Sequence, residues 1–129
     1  MIKEDTKLPS YFFDHIHLIS QDPVKTAEFY EKIFGATQIS KRDLGNGRIM
    51  VDLNLNETKI LVSKPASDKV DTGLGHFGIR TNNLEEAVDE LKAKGVKFTQ
   101  EIREVRPGFK ISFFIGPENV SIELQEGSI

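Results

Sequence analysis

Two stretches of the chain alternate apolar and polar residues in the same way, and each then changes to a helical spacing. Residues 13–35 read FDHIHLISQDPVKTAEFYEKIFG and residues 74–95 read LGHFGIRTNNLEEAVDELKAKG. Each opens as a strand, passes through a helix start and stops at a glycine. His15 and His76 stand 61 residues apart, as do Asp22 and Asn83, whereas Gly35 and Gly95 stand 60 apart. A single-residue slip of this kind is what a loop adjustment inside a duplicated unit produces.

Asp22 predicts a helix N-cap, Pro23 suits the first helical position, and Gly35 suits a left-handed stop, so the first helix is expected over about 23–34. Asn83, the acids Glu85 and Glu86, the bases Lys92 and Lys94, and Gly95 predict a second helix over about 84–94. Val24, Ala27, Tyr30, Ile33 and Phe34 form the expected apolar stripe of the first helix, and Leu84, Ala87, Val88 and Leu91 that of the second. Three strand-like runs follow each helix: 37–43, 48–55 and 58–63, then 96–103, 109–115 and 119–125. Gly45-Asn46-Gly47 and Pro107-Gly108 supply turns. The pattern is βαβββ written twice in one domain spanning 1–129: a module over about 12–63, a polar linker over about 64–74, and a second module over about 75–126. Residues 1–10 read as a loosely held leader.

Alternation with period two sorts side chains onto two faces. Ile16 and Leu18 take the helix-covered face and leave His15 and His17 together on the other. Ile49, Val51, Leu53 and Leu55 are assigned to the covered face, with Met50, Asp52 and Asn54 opposite. In the second module, Ile111, Phe113 and Ile115 are assigned to the covered face along with Val120, Ile122 and Leu124. That assignment leaves Ser112, Phe114, Ser121, Glu123 and Gln125 on the polar face. His76, Gly78 and Arg80 share a face by the same rule.

Composition narrows the chemistry. There is no cysteine, so disulfides, thiolate ligands, cysteine nucleophiles and iron–sulfur clusters are excluded, and any metal must sit on His, Asp or Glu. Lys and Arg total 17 against 20 acids, a net charge of −3 with no concentrated basic segment, which argues against nucleic-acid binding. MIKEDTKLPS has no apolar signal core, and no apolar run approaches the roughly 18 residues that cross a bilayer; a cytoplasmic protein is expected. All three histidines of the chain fall on the first strands of the two modules. Singly, each reads as an exposed or hydrogen-bonded residue. Jointly, His15 and His76 with Glu123 isolated between Ile122 and Leu124 have the make-up of a metal site.

These motifs resemble the vicinal oxygen chelate superfamily of glyoxalase I, methylmalonyl-CoA epimerase, extradiol dioxygenases and bleomycin-resistance proteins. The carrying segments are Asp14 to Ala36, Gly75 to Phe98 and FFIGPENVSIELQE from Phe113 to Glu126, and the second half is most similar to methylmalonyl-CoA epimerase. The resemblance implies an α+β fold in which two βαβββ modules form a curved eight-stranded cup with helices on the outer face. It implies one divalent metal ion (Fe, Zn, Ni, Co or Mn) on His15, His76 and Glu123. It leaves open whether the cup closes within one chain or across a homodimer. Aligning NETKILVS with ENVSIELQ sets Leu61 at the fourth ligand position, where glyoxalases and epimerases carry Glu or Gln.

The reaction expected is proton transfer next to a carbonyl of a small substrate, with Asp52 as first choice of base and His17 and Glu123 as the other candidates. Arg80 is a candidate clamp for an anionic substrate, and Met50 and Phe114 are candidate substrate contacts. Two other readings are an Fe(II) dioxygenase on a facial triad of two histidines and one glutamate, and a metal-free binding protein of the resistance kind.

Overall fold

A computed structural model describes residues 8–127 of the chain. The elements are β1 (Tyr11–Ile19), α1 (Pro23–Phe34), β2 (Thr37–Asp43), β3 (Ile49–Leu55) and β4 (Thr58–Ser63), then β5 (Gly73–Thr81), α2 (Leu84–Ala93), β6 (Phe98–Arg106), β7 (Phe109–Ile115) and β8 (Ser121–Glu126). The expected order of a strand, a helix and three strands is therefore present twice, and the fold is α+β. β5 starts at Gly73, inside the segment read as linker. Of the expected leader, residues 1–7 lie outside the described residues. Leu8 and Ser10 are fixed to Asn82, whose Nδ2 donates to the Leu8 carbonyl at 3.3 Å and whose Oδ1 accepts from the Ser10 amide at 2.9 Å.

The described residues fall into two compact units, one of residues 15–76 and one of residues 8–14 with 77–127. β1 and β5 each contribute to both. In the first unit the strand order is β2-β3-β4-β1, antiparallel except for the parallel pair of β1 with β4. In the second it is β5-β8-β7-β6, with β5 parallel to β8. Parallel pairing of the first and last strand of a module is the geometric consequence of the helix that separates β1 from the β2–β4 meander.

The helices end where the local chemistry dictates. Asp22 Oδ1 accepts from the Lys25 amide at 3.1 Å, Pro23 occupies the first turn, and Gly35 closes α1 at φ 78°. Asn83 Oδ1 accepts from the Glu86 amide at 3.2 Å, and Glu126 Oε1 accepts a second orphan donor of the first turn, the Leu84 amide, at 2.8 Å.

Each helix covers an apolar sheet face. Under α1, Ala27 and Ala36 pack with Val51, Leu53, Ile60 and Val62, and Leu18, Val24 and Tyr30 close the edges. Under α2, Leu84, Ala87 and Val88 pack on Leu124, with Ile79, Leu91, Phe98 and Ile102 around them. Ile33 and Phe34 do not join the α1 stripe as expected, being 60% and 58% exposed. At about 100° per residue Ile33 lies roughly 120° around the helix from Ala27, and Phe34 falls on the last turn, where it stacks on Tyr30 at 6.2 Å.

β7 turns its faces the other way from the expected one. Phe113 pairs with Glu123 and Ile111 with Gln125, while Ser112 pairs with Leu124 and Phe114 with Ile122. Ser112 and Phe114 therefore share the helix-covered face with Leu124, and Phe114 packs edge-on against Phe98 at 5.3 Å. The expected partition of this strand is reversed. Hydrophobicity alone favours Ile111, Phe113 and Ile115 for the covered face, but the ladder to β8 fixes the register and turns Ser112 and Phe114 there instead.

Candidate metal centre

The unit of residues 15–76 contains all three histidines, and its strand registers assemble one polar face. β1 sets His15 beside Lys59 and His17 beside Leu61 on β4; β4 in turn sets Leu61 beside Asp52 and Ser63 beside Met50 on β3. β2 completes the row, with Ser40 beside Asp52 and Arg42 beside Met50. His15, His17, Met50 and Asp52 thus lie on the face the alternation assigned to them, opposite the α1 core.

His76 reaches this group from β5. The chain approach there requires Gly75: a Cβ at that position would meet Ile19 Cγ1 at 2.9 Å and the His17 carbonyl oxygen at 3.2 Å. The Nε2 atoms of His15 and His76 are 3.4 Å apart. The His17 and His76 rings lie 4.7 Å centroid to centroid at 55°, and one ring nitrogen from each of His15, His17 and His76 falls within 4.8 Å of the others. His15 is buried, and the other two are half-buried. His17 Nε2 is 2.8 Å from Oγ of Ser63, which is wholly buried.

This donor set fits a divalent ion. Two nitrogens bound at about 2.0–2.1 Å to one tetrahedral ion stand about 3.4 Å apart, which is the separation of the His15 and His76 nitrogens and is longer than an ordinary N–H···N bond. Neutral imidazole is also a donor that Zn, Co, Ni and Fe accept well.

Asp52 is buried and tightly engaged. Arg42 Nη2 donates to Oδ1 at 3.0 Å, Arg42 Nε donates to Oδ2 at 3.1 Å, and Ser40 Oγ donates to Oδ2 at 2.6 Å. Arg42 Nη2 also lies 2.8 Å from Met50 Sδ. In the other unit, Glu123 is buried beside Gly78 of β5. Arg80 is half-exposed; its Nε donates to Asp14 Oδ1 at 3.3 Å and its guanidinium lies 5.1 Å from the centre of the Phe12 ring. Phe114 is on the α2 side of its strand, away from the face of Glu123, so it does not hold the position expected of a substrate contact; Phe113 takes the place beside Glu123.

Ser63, Ser40 and Arg42 were not singled out by the sequence. A signal existed: a hairpin through Gly45–Gly47 sets 42 against 50 and 40 against 52, and Ser63 follows Leu61 by two on the same face.

The comparisons define the class. The Glyoxalase/Bleomycin resistance protein/Dioxygenase superfamily matches residues 12–124, and the chain belongs to it. Among curated relatives, it is 30% identical over 127 residues to the lactoylglutathione lyase GLX1 of Arabidopsis thaliana, covering 87% of this chain and 43% of that protein. It is 31% identical over 121 residues to YwkD of Bacillus subtilis, covering 87% of this chain and 94% of YwkD. The chain spans under half the length of the plant lyases it matches. Among solved structures, methylmalonyl-CoA epimerase from Mycobacterium tuberculosis superposes with a TM-score of 0.72 at 21% identity, covering 91% of this chain and 88% of that one. The Bacillus halodurans protein BH1468 gives 0.77 at 23% identity, covering 93% and 96%. These structures share the fold. Among the described residues no helix is long and apolar enough to cross a membrane.

Proposed function

We propose that this protein is a metal-dependent lyase or isomerase that moves a proton next to a carbonyl of a small substrate. The observation that carries the reading is the 3.4 Å approach of His15 and His76, repeat-related residues on the first strands of the two modules, in a chain of the glyoxalase superfamily. His15 and His76 would hold the ion, and the family resemblance adds Glu123 as the carboxylate ligand. When bound, such an ion polarises a carbonyl oxygen and stabilises the negative charge of an enolate.

The protein's own part is to receive and return the proton. The base takes the proton from the carbon beside the carbonyl, the C–H electron pair becomes the enolate double bond, and the proton returns to that carbon or its neighbour. Of the three candidate bases, Asp52 already accepts from Arg42 at both oxygens and from Ser40, an engagement that ties the carboxylate to Arg42 rather than to a substrate. Its role in this reading is to position Arg42 and Met50 on the site face. Glu123 is the proposed acceptor, and Arg80, with Asp14 orienting it, is proposed to meet an anionic end of the substrate.

Relatives named lactoylglutathione lyase and neighbours named methylmalonyl-CoA epimerase favour this reading over oxygen activation. They also suggest a glutathione adduct or a coenzyme A ester as the substrate class. The test is proton exchange: protein loaded in turn with Zn, Ni, Co and Mn is incubated in deuterated water with S-lactoylglutathione or methylmalonyl-CoA and followed by NMR. Metal-dependent exchange at the carbon next to the carbonyl is expected. Substrate-dependent oxygen uptake by the Fe(II) form, without exchange in any form, would contradict it.

A further inference from the structure

The repeat that relates His15 to His76 also relates His17 to Gly78, and the strand registers show what that pairing does. On the parallel pair β5–β8, Gly78 lies beside Glu123. On the parallel pair β1–β4, His17 lies beside Leu61. Leu61 and Glu123 therefore hold equivalent positions, as the sequence alignment had them. In the module with a carboxylate on the last strand, its neighbour on the first strand has no side chain. In the module whose last strand has lost the carboxylate, that neighbour is an imidazole.

We propose that His17 is a metal ligand replacing the one that position 61 cannot supply, coordinating through Nδ1 while its Nε2–H donates to Ser63. The inference rests on the proposed ion at His15 and His76, and adds a third nitrogen to it. Neighbouring strands are about 4.8 Å apart, so moving a donor from position 61 to position 17 shifts its point of attachment by one strand, a distance a longer, rigid ring can make up. A ring nitrogen of His17 is already within 4.8 Å of those of His15 and His76. The Ser63 contact at 2.8 Å supplies what ligating histidines regularly have, a partner on the other ring nitrogen that fixes tautomer and orientation, and Ser63 is wholly buried and so held in place.

Two consequences follow from chemistry alone. Exchanging a carboxylate for an imidazole removes a negative charge and hardens the preference for Zn, Co or Ni over Mg or Mn. It also relieves Glu123: a carboxylate that leaves the ion to take a proton would leave three histidines behind, where without His17 it would leave two.

The test uses the full chain and reads metal binding rather than activity. Zn(II) affinity is measured by competition with a chromophoric chelator for the parent, His17→Ala, His15→Ala, His76→Ala and the double variant His17→Ala/Leu61→Glu. His17→Ala is expected to weaken binding by roughly 10²-fold or more, and Leu61→Glu in that background to recover most of the loss. ¹⁵N imidazole NMR of the Zn-loaded parent, which needs no variant to fold, should show the His17 Nδ1 resonance at a metal-bound position and Nε2 protonated. Parent-like affinity in His17→Ala, with losses at His15→Ala and His76→Ala, would overturn the inference and leave the metal reading intact. Parent-like affinity in all three single variants would overturn both.

Discussion

Arg42 and Asp52 are joined through both carboxylate oxygens, and Ser40 adds a third donor at 2.6 Å. With Asp52 buried and the Arg42 side chain 28% exposed, the pair is shielded enough for its loss to matter. Asp52→Asn is expected to lower stability by about 1–3 kcal/mol, since the half-buried guanidinium loses its charge partner. Chemical denaturation measures this directly. The proton-exchange rate of the folded variant should fall far less than that of Glu123→Gln, for which a loss of roughly 10²-fold or more is expected. An Asp52→Asn protein of unchanged stability whose exchange is slowed by that larger factor would return the base to Asp52.

Ser112 offers a test of packing under α2. Its Oγ is buried with no hydrogen-bond partner among the described residues, on the strand face shared with Leu124. A buried hydroxyl without a partner costs more to desolvate than a methyl group. Ser112→Ala should therefore fold with equal stability or up to about 1 kcal/mol more. A loss of that size in urea denaturation would show that the hydroxyl is bonded after all.

Tyr11 sets a pH dependence at the alkaline end. Partial desolvation, reinforced by the hydrogen bond that its hydroxyl donates to Glu90 at 3.0 Å, pushes the phenol up from its usual 10 to about 12. A group whose pKa is higher folded than unfolded stabilises fully below the unfolded value, and that contribution is lost as pH rises through the folded one. The difference in unfolding free energy between the parent and Tyr11→Phe should hold steady below pH 10 and shrink between pH 10 and about 12. A difference independent of pH across that window would contradict the assignment.

The legibility of this chain followed the strength of its local signals. Asp22 with Pro23, and Gly35, bounded α1 because capping and left-handed geometry are decided by a few residues. The polar face holding His15, His17 and Asp52 was readable because Ile16 and Leu18 on β1 and Ile49, Val51, Leu53 and Leu55 on β3 alternate with them. β7 was not readable in the same way: Phe113 and Phe114 are adjacent aromatics, one on each face, and only pairing with β8 distinguishes them. Asp52 was identified as a site residue, but its engagement by Arg42 and Ser40 depended on the β2–β3 register, which includes a bulge between Gln38 and Ser40. The meeting of His15 with His76 follows from the repeat, whereas the place of Ser63 behind His17 follows from a parallel register that no local pattern encodes.

Binding of a divalent ion by His15 and His76 is read by elemental analysis of protein reconstituted with Zn and freed of loosely bound metal. One ion per chain is expected in the parent and a large loss of it in His76→Ala, with both proteins folded by circular dichroism. Full metal occupancy in the folded His76→Ala protein would contradict it.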